Sequence, residues 1–435
     1  MTSSISAPRP LPPRHRWKVL AAGVLANAAF SVAFSGIPMT AVALRAGYRL
    51  DTSTLGLVLG LMGLGIALSE VPWGLLTDRF GDRPVLLGGL ASTGLALAAM
   101  AAWAAPSATH VPALRWLAVG LVAVGLLGGS VNGASGRAVM RWFADGERGL
   151  AMSIRQTAVP LGGGIGALLL PVLALHVGFA AVYAFLAALC GVAALLAAAW
   201  VRDPEMADPA SAAPPAGQAV PLRDAGIWRI VAGIGVLCAP QFALLSFGTV
   251  FLHDVGHAGL AATTATMVLV QAGAMGMRVW SGRWTDRRRN RPAFLLACAR
   301  ASALLFALLA GVALLGEMDV FPGVALRETM VAALLASDMC VSAWHGVAYT
   351  ELATRAGAGQ AGTALGMANT AVFAVCFLTP LAVAHLVAWH GWALAWLAAA
   401  ACAWVAAPWL SSPSSTRQPQ PQPDPDPAAA CRAGR

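Results

Sequence analysis

Twelve apolar segments, each about as long as a lipid bilayer is thick, constrain this chain more than any other feature of its sequence. A helix of about 20 apolar residues crosses the roughly 30 Å hydrocarbon core. Charged residues make up only 11% of the 435 positions, and the mean hydropathy is +0.70. Because lipid offers no hydrogen bonds, such segments must be helical. We therefore predict an all-α integral membrane protein with twelve transmembrane helices, which we call spans 1 to 12, near 19–44, 55–76, 84–105, 114–140, 150–173, 177–200, 227–252, 259–280, 292–315, 327–352, 362–386 and 391–410.

The basic residues predict how these spans are oriented. With the N-terminus inside, 21 of the 28 Lys and Arg residues fall on the inner side, and the outer side holds Arg45, Arg49, Arg115 and Arg327. Basic residues favour the cytoplasmic side, so we expect a multi-pass protein of the cell (inner) membrane with both termini in the cytoplasm. Arginines sorted by membrane side do not indicate nucleic-acid binding. The seven cysteines show no paired spacing, and we predict no disulfide.

Composition also divides the chain. A Pro/Ala-rich stretch over 201–226 predicts a cytoplasmic linker between two six-helix halves, 19–200 and 227–410. Residues 1–18 form a cytoplasmic N-terminal segment, and the low-complexity tail 411–435 is expected to be disordered.

An internal repeat supports this division. The segment GLLTDRFGDRP at 74–84 returns 208 residues later as GRWTDRRRNRP at 282–292. A weaker echo relates AMSIRQT at 151–157 to ALGMANT at 364–370, at an offset of 213. Each polar copy follows the second span of its half. Two related halves predict a substrate site between them, near the middle of the bilayer.

The polar repeat resembles the loop signature of the major facilitator superfamily of secondary transporters, and the twelve-span layout extends that resemblance over nearly the whole chain. The residues that carry it are Gly74, Asp78, Arg79, Gly81 and Arg83 in the first copy, and Gly282, Asp286, Arg287 and Arg291 in the second. The resemblance implies a conformational latch in which Asp78 meets Arg141 and, by pseudo-symmetry, Asp286 meets Arg355. Alternatively, these charges only end the spans and fix the topology.

Span 5 partly matches an antiporter signature of the same family, through Gly146, Pro160, Gly163 and Gly164. Arg155 and Val159 stand where that signature has glycines. We expect Gly162, Gly163, Gly164 and Gly166 to allow close helix packing, and Pro160 to permit bending.

Ionisable residues inside spans are functional candidates. Asp338 lies midway along span 10, where burial disfavours a charged carboxylate, and His345 follows two turns later. We predict that Asp338 and His345 carry coupling protons. Structural hydrogen bonds to neighbouring helices are the alternative reading of both.

Other polar residues are candidates for the substrate cavity. Arg155 could hold an anionic group bidentately, with Gln156 beside it, or it could reach the headgroups or pair with Glu147. Glu70 and Arg278 occupy equivalent positions at the 208 offset and could pair across the halves. The further candidates are Asn27, Ser31, Ser35, Gln241, Gln271 and Trp344.

These observations predict a secondary active transporter that moves a small solute by alternating access, coupled to protons, with small organic anions favoured. Proton-driven efflux of drugs or metabolites is the alternative, and a membrane-embedded enzyme or a sensor is a distant one. No phosphate-binding loop of the G-x4-G-K-[ST] type is present, which argues against ATP as the energy source. We expect no enzymatic activity, cofactor, metal or nucleic-acid partner, and a monomer in the lipid bilayer.

Overall fold

The computed structural model of the protein describes residues 15–107, 109–143, 148–202, 223–318, 323–356 and 361–410. These ranges are almost entirely helical and contain no strand, which confirms the predicted all-α fold. The helices are α1 (His15–Met39), α2 (Ala41–Gly47), α3 (Thr52–Phe80), α4 (Asp82–Trp103), α5 (Leu114–Gly128), α6 (Ser130–Trp142), α7 (Arg148–Gln156), α8 (Ala158–His176), α9 (Phe179–Trp200), α10 (Ala225–Asp254), α11 (Leu260–Arg288), α12 (Arg291–Glu317), α13 (Gly323–Ser342), α14 (Trp344–Ala356) and α15 (Ala361–Leu410).

The helices account for the twelve spans in two six-helix halves. Ten helical stretches in the described ranges are long and apolar enough to cross a membrane. One of them, Thr363–Leu410, contains spans 11 and 12, because the backbone leaves the helical conformation at His390 and Gly391. Span 10 consists of α13 and α14. The predicted linker and tail lie largely or wholly outside the described residues.

Three spans that the sequence predicts as continuous are each divided into two helices by a single residue. Span 4 divides at Gly129, span 5 at Thr157 and span 10 at Ala343. At each break one amide bonds only three residues back, with N–O distances of 3.2 Å for Asn132 to Gly129, Thr157 to Ile154 and Ala343 to Cys340. Such interruptions leave backbone carbonyls without a helical partner. They are therefore available to side chains of the central cavity.

The two halves touch closely along α3 and α15. A Cβ atom added to Gly56 would lie 2.5 Å from Cβ of Ala384, and one added to Gly60 would lie 2.5 Å from the carbonyl oxygen of Phe377. Glycine is needed at both positions because any side chain would push the helices apart. These contacts lie toward the end of the bundle that carries Asp254, called here the Asp254 end. The opposite end carries the second polar repeat and is called the Asp286 end.

Candidate functional site

A central cavity of about 110 Å³ lies between the two halves, where the broken spans 4, 5 and 10 meet spans 1, 7, 8 and 11. Its wall alternates aromatic rings with amide, hydroxyl and guanidinium groups. The lining includes Asn27, Phe30, Ser31, Phe34, Ser35, Asn132, Arg155, Gln156, Val159, Cys238, Gln241, Phe242, Leu245, Arg278, His345, Tyr349, Asn369, Val372, Phe373 and Cys376.

Arg155, at the end of α7, supplies one of two guanidinium groups in this wall. Its side chain is 5% exposed. The Nε atom donates to Oγ of Ser135 at 3.0 Å, and Nη2 donates to the backbone oxygen of Asn132 at 2.7 Å. Two hydrogen bonds to span 4 fix the plane of the guanidinium group. Residues of the first half thus hold the Arg155 side chain in place, with its charge at the cavity.

Arg278, in α11, supplies the second guanidinium group from the other half, and it is also 5% exposed. Its Nη1 atom donates to the backbone oxygen of Gln156 at 3.1 Å, so this bond crosses between the halves. The sequence explains why that oxygen is free. Pro160 stands four residues later and has no N–H to bond it. The proline that we expected to permit bending therefore also supplies an acceptor for Arg278.

His345 bridges Arg278 to the break in span 10. Nη2 of Arg278 lies 3.4 Å from Nε2 of His345, and Nδ1 of His345 lies 3.3 Å from the backbone oxygen of Ser342. Because a carbonyl only accepts and a guanidinium only donates, these contacts are both satisfied when the proton is on Nδ1 and the ring is neutral. His345 is therefore placed to respond to any change in the position of Arg278.

The two halves repeat this arrangement with different residues. Glu70 accepts a hydrogen bond from Nδ2 of Asn132 at 3.1 Å, just as Arg278 contacts His345. Glu70 corresponds to Arg278 at the 208 offset, and Asn132 corresponds to His345 at the 213 offset. The expected Glu70–Arg278 pair is not among the described ion pairs. Glu70 instead lies in the electrostatic field of Arg155 within its own half.

Asp338 lies behind the cavity wall, and its side chain is fully buried. Its Oδ2 atom accepts from Oγ of Ser342 at 3.0 Å, and Oγ of Ser342 in turn accepts from Nε2 of Gln241 at 2.9 Å. Gln241 lines the cavity. The other carboxylate oxygen, Oδ1, is buried without a hydrogen-bond partner among the described residues. Two hydrogen bonds in series, from Gln241 to Ser342 and from Ser342 to Asp338, thus connect the carboxylate to the cavity wall.

Most sequence-predicted cavity residues do meet in this wall. Asn27, Ser31, Ser35, Arg155, Gln156 and Gln241 all line it, and so does His345, which the sequence predicts as a proton carrier. Gln271 and Trp344 do not. Gln271 packs where a Cβ of Gly163 would be, and Trp344 is fully buried with its ring 3.8 Å from the His345 ring. Both lie behind the lining, and their contact with a substrate stays a prediction.

Sequence reasoning gave too little weight to three cavity residues. The sequence indicates Arg278 only as a partner of Glu70, although it is buried at the cavity. Asn132 is not among the predicted cavity residues, and Asn369, which accepts from the Tyr349 hydroxyl at 2.9 Å, is included there only as part of the segment 364–370. The repeat offsets are the signal that could have found all three.

The span 5 glycines lie in close contacts, as expected. A Cβ on Gly162 would lie 2.6 Å from Cβ of Ser31, and one on Gly166 would lie 2.5 Å from Cα of Gly36. Gly164 is less crowded, with Cβ of Gln271 at 3.6 Å.

The polar repeats pair within each half at the Asp286 end. Nη1 of Arg141 lies 3.4 Å from Oδ2 of Asp82, and Arg83 donates to the backbone oxygen of Ala198 at 2.9 Å. The side chain of Asp78 lies outside the described part of the chain, so its pairing with Arg141 stays a prediction.

The expected contact between Asp286 and Arg355 is replaced by other pairs. Nη2 of Arg291 lies 3.0 Å from Oδ1 of Asp286, and Nε of Arg355 lies 2.8 Å from Oε1 of Glu351. A salt bridge four residues apart on α14 holds Arg355 on its own helix.

The turns that end α3 and α11 each contain a residue with a positive φ, but their backbone conformations differ, with ψ of 171° at Gly81 and 38° at Arg289. Gly81 has φ +89° between α3 and α4, and Arg289, its counterpart at the 208 offset, has φ +50°. A left-handed conformation is costly for a residue with a Cβ. The second half therefore ends its helix with a left-handed arginine, in a turn that differs from the glycine turn of the first half.

At the Asp254 end the halves are joined by an ion pair. Nη1 and Nη2 of Arg45 donate to the two carboxylate oxygens of Asp254, both at 2.8 Å. Nδ1 of His253 also lies 2.7 Å from Oδ1 of Asp254.

A larger cavity of about 550 Å³ lies at the Asp254 end, lined mainly by apolar groups and including His253 and His257. It contains none of the buried charges of the central cavity, and no group of potential metal ligands occurs in the described ranges.

Comparisons with known proteins agree with this architecture. A family model described as Major Facilitator Superfamily matches residues 19–380. An uncharacterized MFS-type transporter of Mycobacterium tuberculosis is 33% identical over 366 residues, covering 82% of this chain and 76% of that protein. A protein named probable anion transporter 2, chloroplastic, from Oryza sativa, is 30% identical over 148 residues, covering 33% of this chain and 26% of that protein.

Solved structures show the same fold at low sequence identity. The crystal structure of a D-xylose–proton symporter aligns with a TM-score of 0.71 and 17% identity, covering 91% of this chain and 97% of that one. A bacterial homolog of the human lysosomal transporter Spinster, in an inward-facing and unoccupied conformation, aligns with a TM-score of 0.65 and 15% identity, covering 91% and 95%.

Proposed function

Because this chain belongs to the major facilitator superfamily of transporters, we propose that it moves a small organic anion across the membrane by alternating access, coupled to protons. Membership of a transporter family points away from enzymatic activity. The sorting of Lys and Arg residues supports cytoplasmic termini in a bacterial cell membrane. One chain encloses the cavity, which is consistent with a functional monomer.

The observation that carries the proposal is the pair of arginines in the cavity wall, one from each half. Arg155 and Arg278 are both buried, and Nε of Arg278 has no hydrogen-bond partner among the described residues. A carboxylate accepts bidentate hydrogen bonds from guanidinium groups. An anion that bonds both arginines would link the halves, so its binding would stabilise a closed arrangement around it. The partial match to an anion transporter agrees with this reading.

The arginines also weigh against the alternative of cation efflux. Glu70 and Asp338 would attract a lipophilic cation, but each lies in the field of a buried arginine of its own half. A cation entering the cavity would meet two guanidinium groups in the wall, whereas neither Glu70 nor Asp338 is among the lining residues. Net repulsion at short range in a medium of low polarity is costly.

Thermal stabilisation of the purified protein tests the substrate class. A ligand that binds only the folded state raises the melting temperature. We expect a mono- or dicarboxylate to stabilise the wild type, and Arg155→Lys and Arg278→Lys each to lose that shift, because lysine cannot bond bidentately. Arg300→Lys, an exposed arginine of α12, is the control and should keep the shift. Stabilisation by lipophilic cations instead, with no response to carboxylates, would overturn the anion proposal.

Proton coupling is proposed for Asp338 through Ser342 and Gln241. Protonation of the carboxylate would remove its negative charge, turn one of its oxygens into a donor, and so weaken the hydrogen bond that it accepts from the Ser342 hydroxyl. In proteoliposomes, we expect Asp338→Asn to abolish accumulation driven by a pH gradient and to retain counterflow exchange of unlabelled for labelled substrate. Normal accumulation by this variant would exclude Asp338 as the proton carrier. Loss of both activities would show that Asp338 serves binding or structure rather than coupling.

A further inference from the structure

The two copies of the polar repeat differ at positions that share one helix face. Both copies keep the Thr-Asp-Arg core, so Arg79 and Arg287 are equivalent. Around them, the first copy is apolar and the second is basic and aromatic. At the 208 offset, Pro72, Leu75, Leu76 and Phe80 correspond to Trp280, Arg283, Trp284 and Arg288. Ending a span and fixing its orientation requires only what both copies have, so the difference calls for a separate explanation.

The residues specific to the second copy line a groove at the Asp286 end. This groove, of about 560 Å³, is lined by Gly276, Val279, Trp280, Arg283, Trp284, Arg287 and Arg288. All seven lie on α11 at spacings of three or four residues, and such residues form one stripe of a helix. We call it the Trp–Arg groove.

The groove faces away from the protein core. Arg278, Ser281 and Thr285 are the buried residues of this stretch of α11, and they lie on the opposite side of the helix. Trp280 is 49% exposed, and Arg283, Arg287 and Arg288 are all exposed. A Cβ on Gly276 would meet nothing within 4 Å, so the groove is open beside the aromatic rings. Its surroundings are therefore the lipid and the membrane surface.

The aromatic part of the groove is ordered by stacking. The Trp280 and Trp284 rings are 6.0 Å apart at an interplanar angle of 26°, and Phe294 of α12 supports both. The guanidinium carbon of Arg288 lies 5.3 Å from the centroid of the Trp284 ring. Tryptophan favours the level of the lipid headgroups, where its ring is in contact with both apolar and polar groups. Arg287 and Arg288 follow Trp284 by about one turn toward the end of the helix, and Arg283 lies between the two tryptophans.

The three arginines have no acidic partner in the described ranges. Asp286, the nearest carboxylate in sequence, pairs with Arg291 instead. Three positive charges therefore remain on one exposed stripe. We infer that the Trp–Arg groove binds the headgroup of an anionic phospholipid, with diphosphatidylglycerol (cardiolipin), which has two phosphates, as the tightest ligand. Basic pockets on the cytoplasmic side of transmembrane helices suit such headgroups, and guanidinium groups bond phosphates bidentately.

The repeat itself provides the test variant. R283L/R288F gives α11 the residues that the first half already carries at equivalent exposed positions, where Leu75 and Phe80 are 66% and 55% exposed. The control R223Q/R229Q removes two positive charges from exposed positions near the start of α10, outside the groove. Native mass spectrometry of the detergent-solubilised protein would measure bound tetraoleoyl cardiolipin and dioleoyl phosphatidylcholine. R283Q/R288Q replaces the first variant if that one fails to fold.

We expect the wild type and the control to retain cardiolipin in preference to phosphatidylcholine, and the groove variant to bind cardiolipin about thirtyfold more weakly. That factor corresponds to the loss of the attraction that the two arginines together exert on the anionic headgroup. Equal cardiolipin binding by the groove variant and the control would overturn the inference, as would equal binding of the two lipids by the wild type. A melting-temperature rise with inorganic phosphate equal to that with cardiolipin would assign the groove to a soluble phosphate and overturn the lipid as its ligand.

Discussion

The ion pair between Arg45 and Asp254 leads to a prediction about the conformational equilibrium. It joins α2 of the first half to α10 of the second, at the end of the bundle where the halves are in contact. The described ion pairs at the Asp286 end each join two residues of one half. Removing the Arg45–Asp254 pair should therefore destabilise the arrangement closed at the Asp254 end, and leave the opposite arrangement unaffected. Asp254→Asn is the perturbation.

The size of the effect follows from geometry and exposure. Exposed ion pairs contribute about 0.2–1 kcal/mol, and the side chains of Arg45 and Asp254 are 25% and 31% exposed. The bidentate geometry places this pair near the upper value of about 1 kcal/mol. At room temperature this corresponds to about a fivefold change in the ratio of closed to open molecules.

Alkaline pH should not imitate the variant. The hydrogen bonds to Asp254 raise the pKa of Arg45 above its already high ordinary value. Because the pKa of Arg45 is raised, the stabilisation that its charge gives to the ion pair is fully present below the ordinary arginine pKa. It is lost only as pH rises through the raised pKa. Arg45 therefore keeps its positive charge between about pH 6 and pH 9, and alkaline pH in this range does not break the ion pair by deprotonating it.

Native cysteines of the cavity can report the shift. Cys238 and Cys376 line the central cavity and are 5% and 2% exposed. With the other cysteines replaced by alanine, a charged, membrane-impermeant thiol reagent would be applied to right-side-out and to inside-out vesicles. We expect Asp254→Asn to raise the labelling rate about fivefold from the Asp254 end only. The swap Arg45→Asp with Asp254→Arg should return the rate toward that of the wild type.

The control is Glu328→Gln, which removes one negative charge from an exposed position of α13 without touching the pair. Equal labelling of the wild type and Asp254→Asn from the Asp254 end would refute the idea that the Arg45–Asp254 pair stabilises the closed arrangement. An equal increase in Glu328→Gln would attribute the effect to surface charge rather than to the ion pair.

Three further predictions concern stability and packing. Gly125→Leu should cost about 1–3 kcal/mol of stability, because an added Cβ would overlap the carbonyl oxygen of Met62; Gly311→Leu, where a Cβ meets nothing within 4 Å, should cost far less in the same thermal melt. Pro160→Ala should restore an N–H that competes with Arg278 for the Gln156 oxygen, and a double-mutant cycle with Arg278→Lys should show a coupling of about 1 kcal/mol; additive effects would contradict this. Asp51 caps α3 by accepting from Thr54, and bonds to Thr54 and Ser53 lower the pKa of Asp51. The stabilisation by the Asp51 cap is therefore present above the ordinary pKa of aspartate and is lost as pH falls through the lowered one. The melting-temperature difference between wild type and Asp51→Ala should shrink in acid. A difference independent of pH would contradict the cap.

The fold could be predicted from the sequence because its signals are local. Span length, the absence of charge and the sorting of Lys and Arg each act within some 20 residues, and lipid leaves helices as the only solution for an isolated apolar segment. The repeat at 74–84 and 282–292 then divided the chain into halves without knowledge of any contact. Several cavity residues were found in the same way, since a polar group such as Arg155 or Gln241 inside a span is costly without a function or a partner.

The assembly of the site depended on the tertiary structure. Hydropathy reads span 5 as one helix, whereas the packed chain breaks it at Thr157 and gives the Gln156 oxygen to Arg278 of the other half. The repeat predicts Arg278 as a partner of Glu70, and only packing shows that it lies at the cavity and contacts the Gln156 oxygen and His345. The sequence by itself determined which segments cross the membrane and that two halves face each other. Which polar groups meet in the wall of the cavity was decided by packing, because those contacts join residues more than 60 positions apart, within one half or across the two, and no local pattern of the chain encodes them.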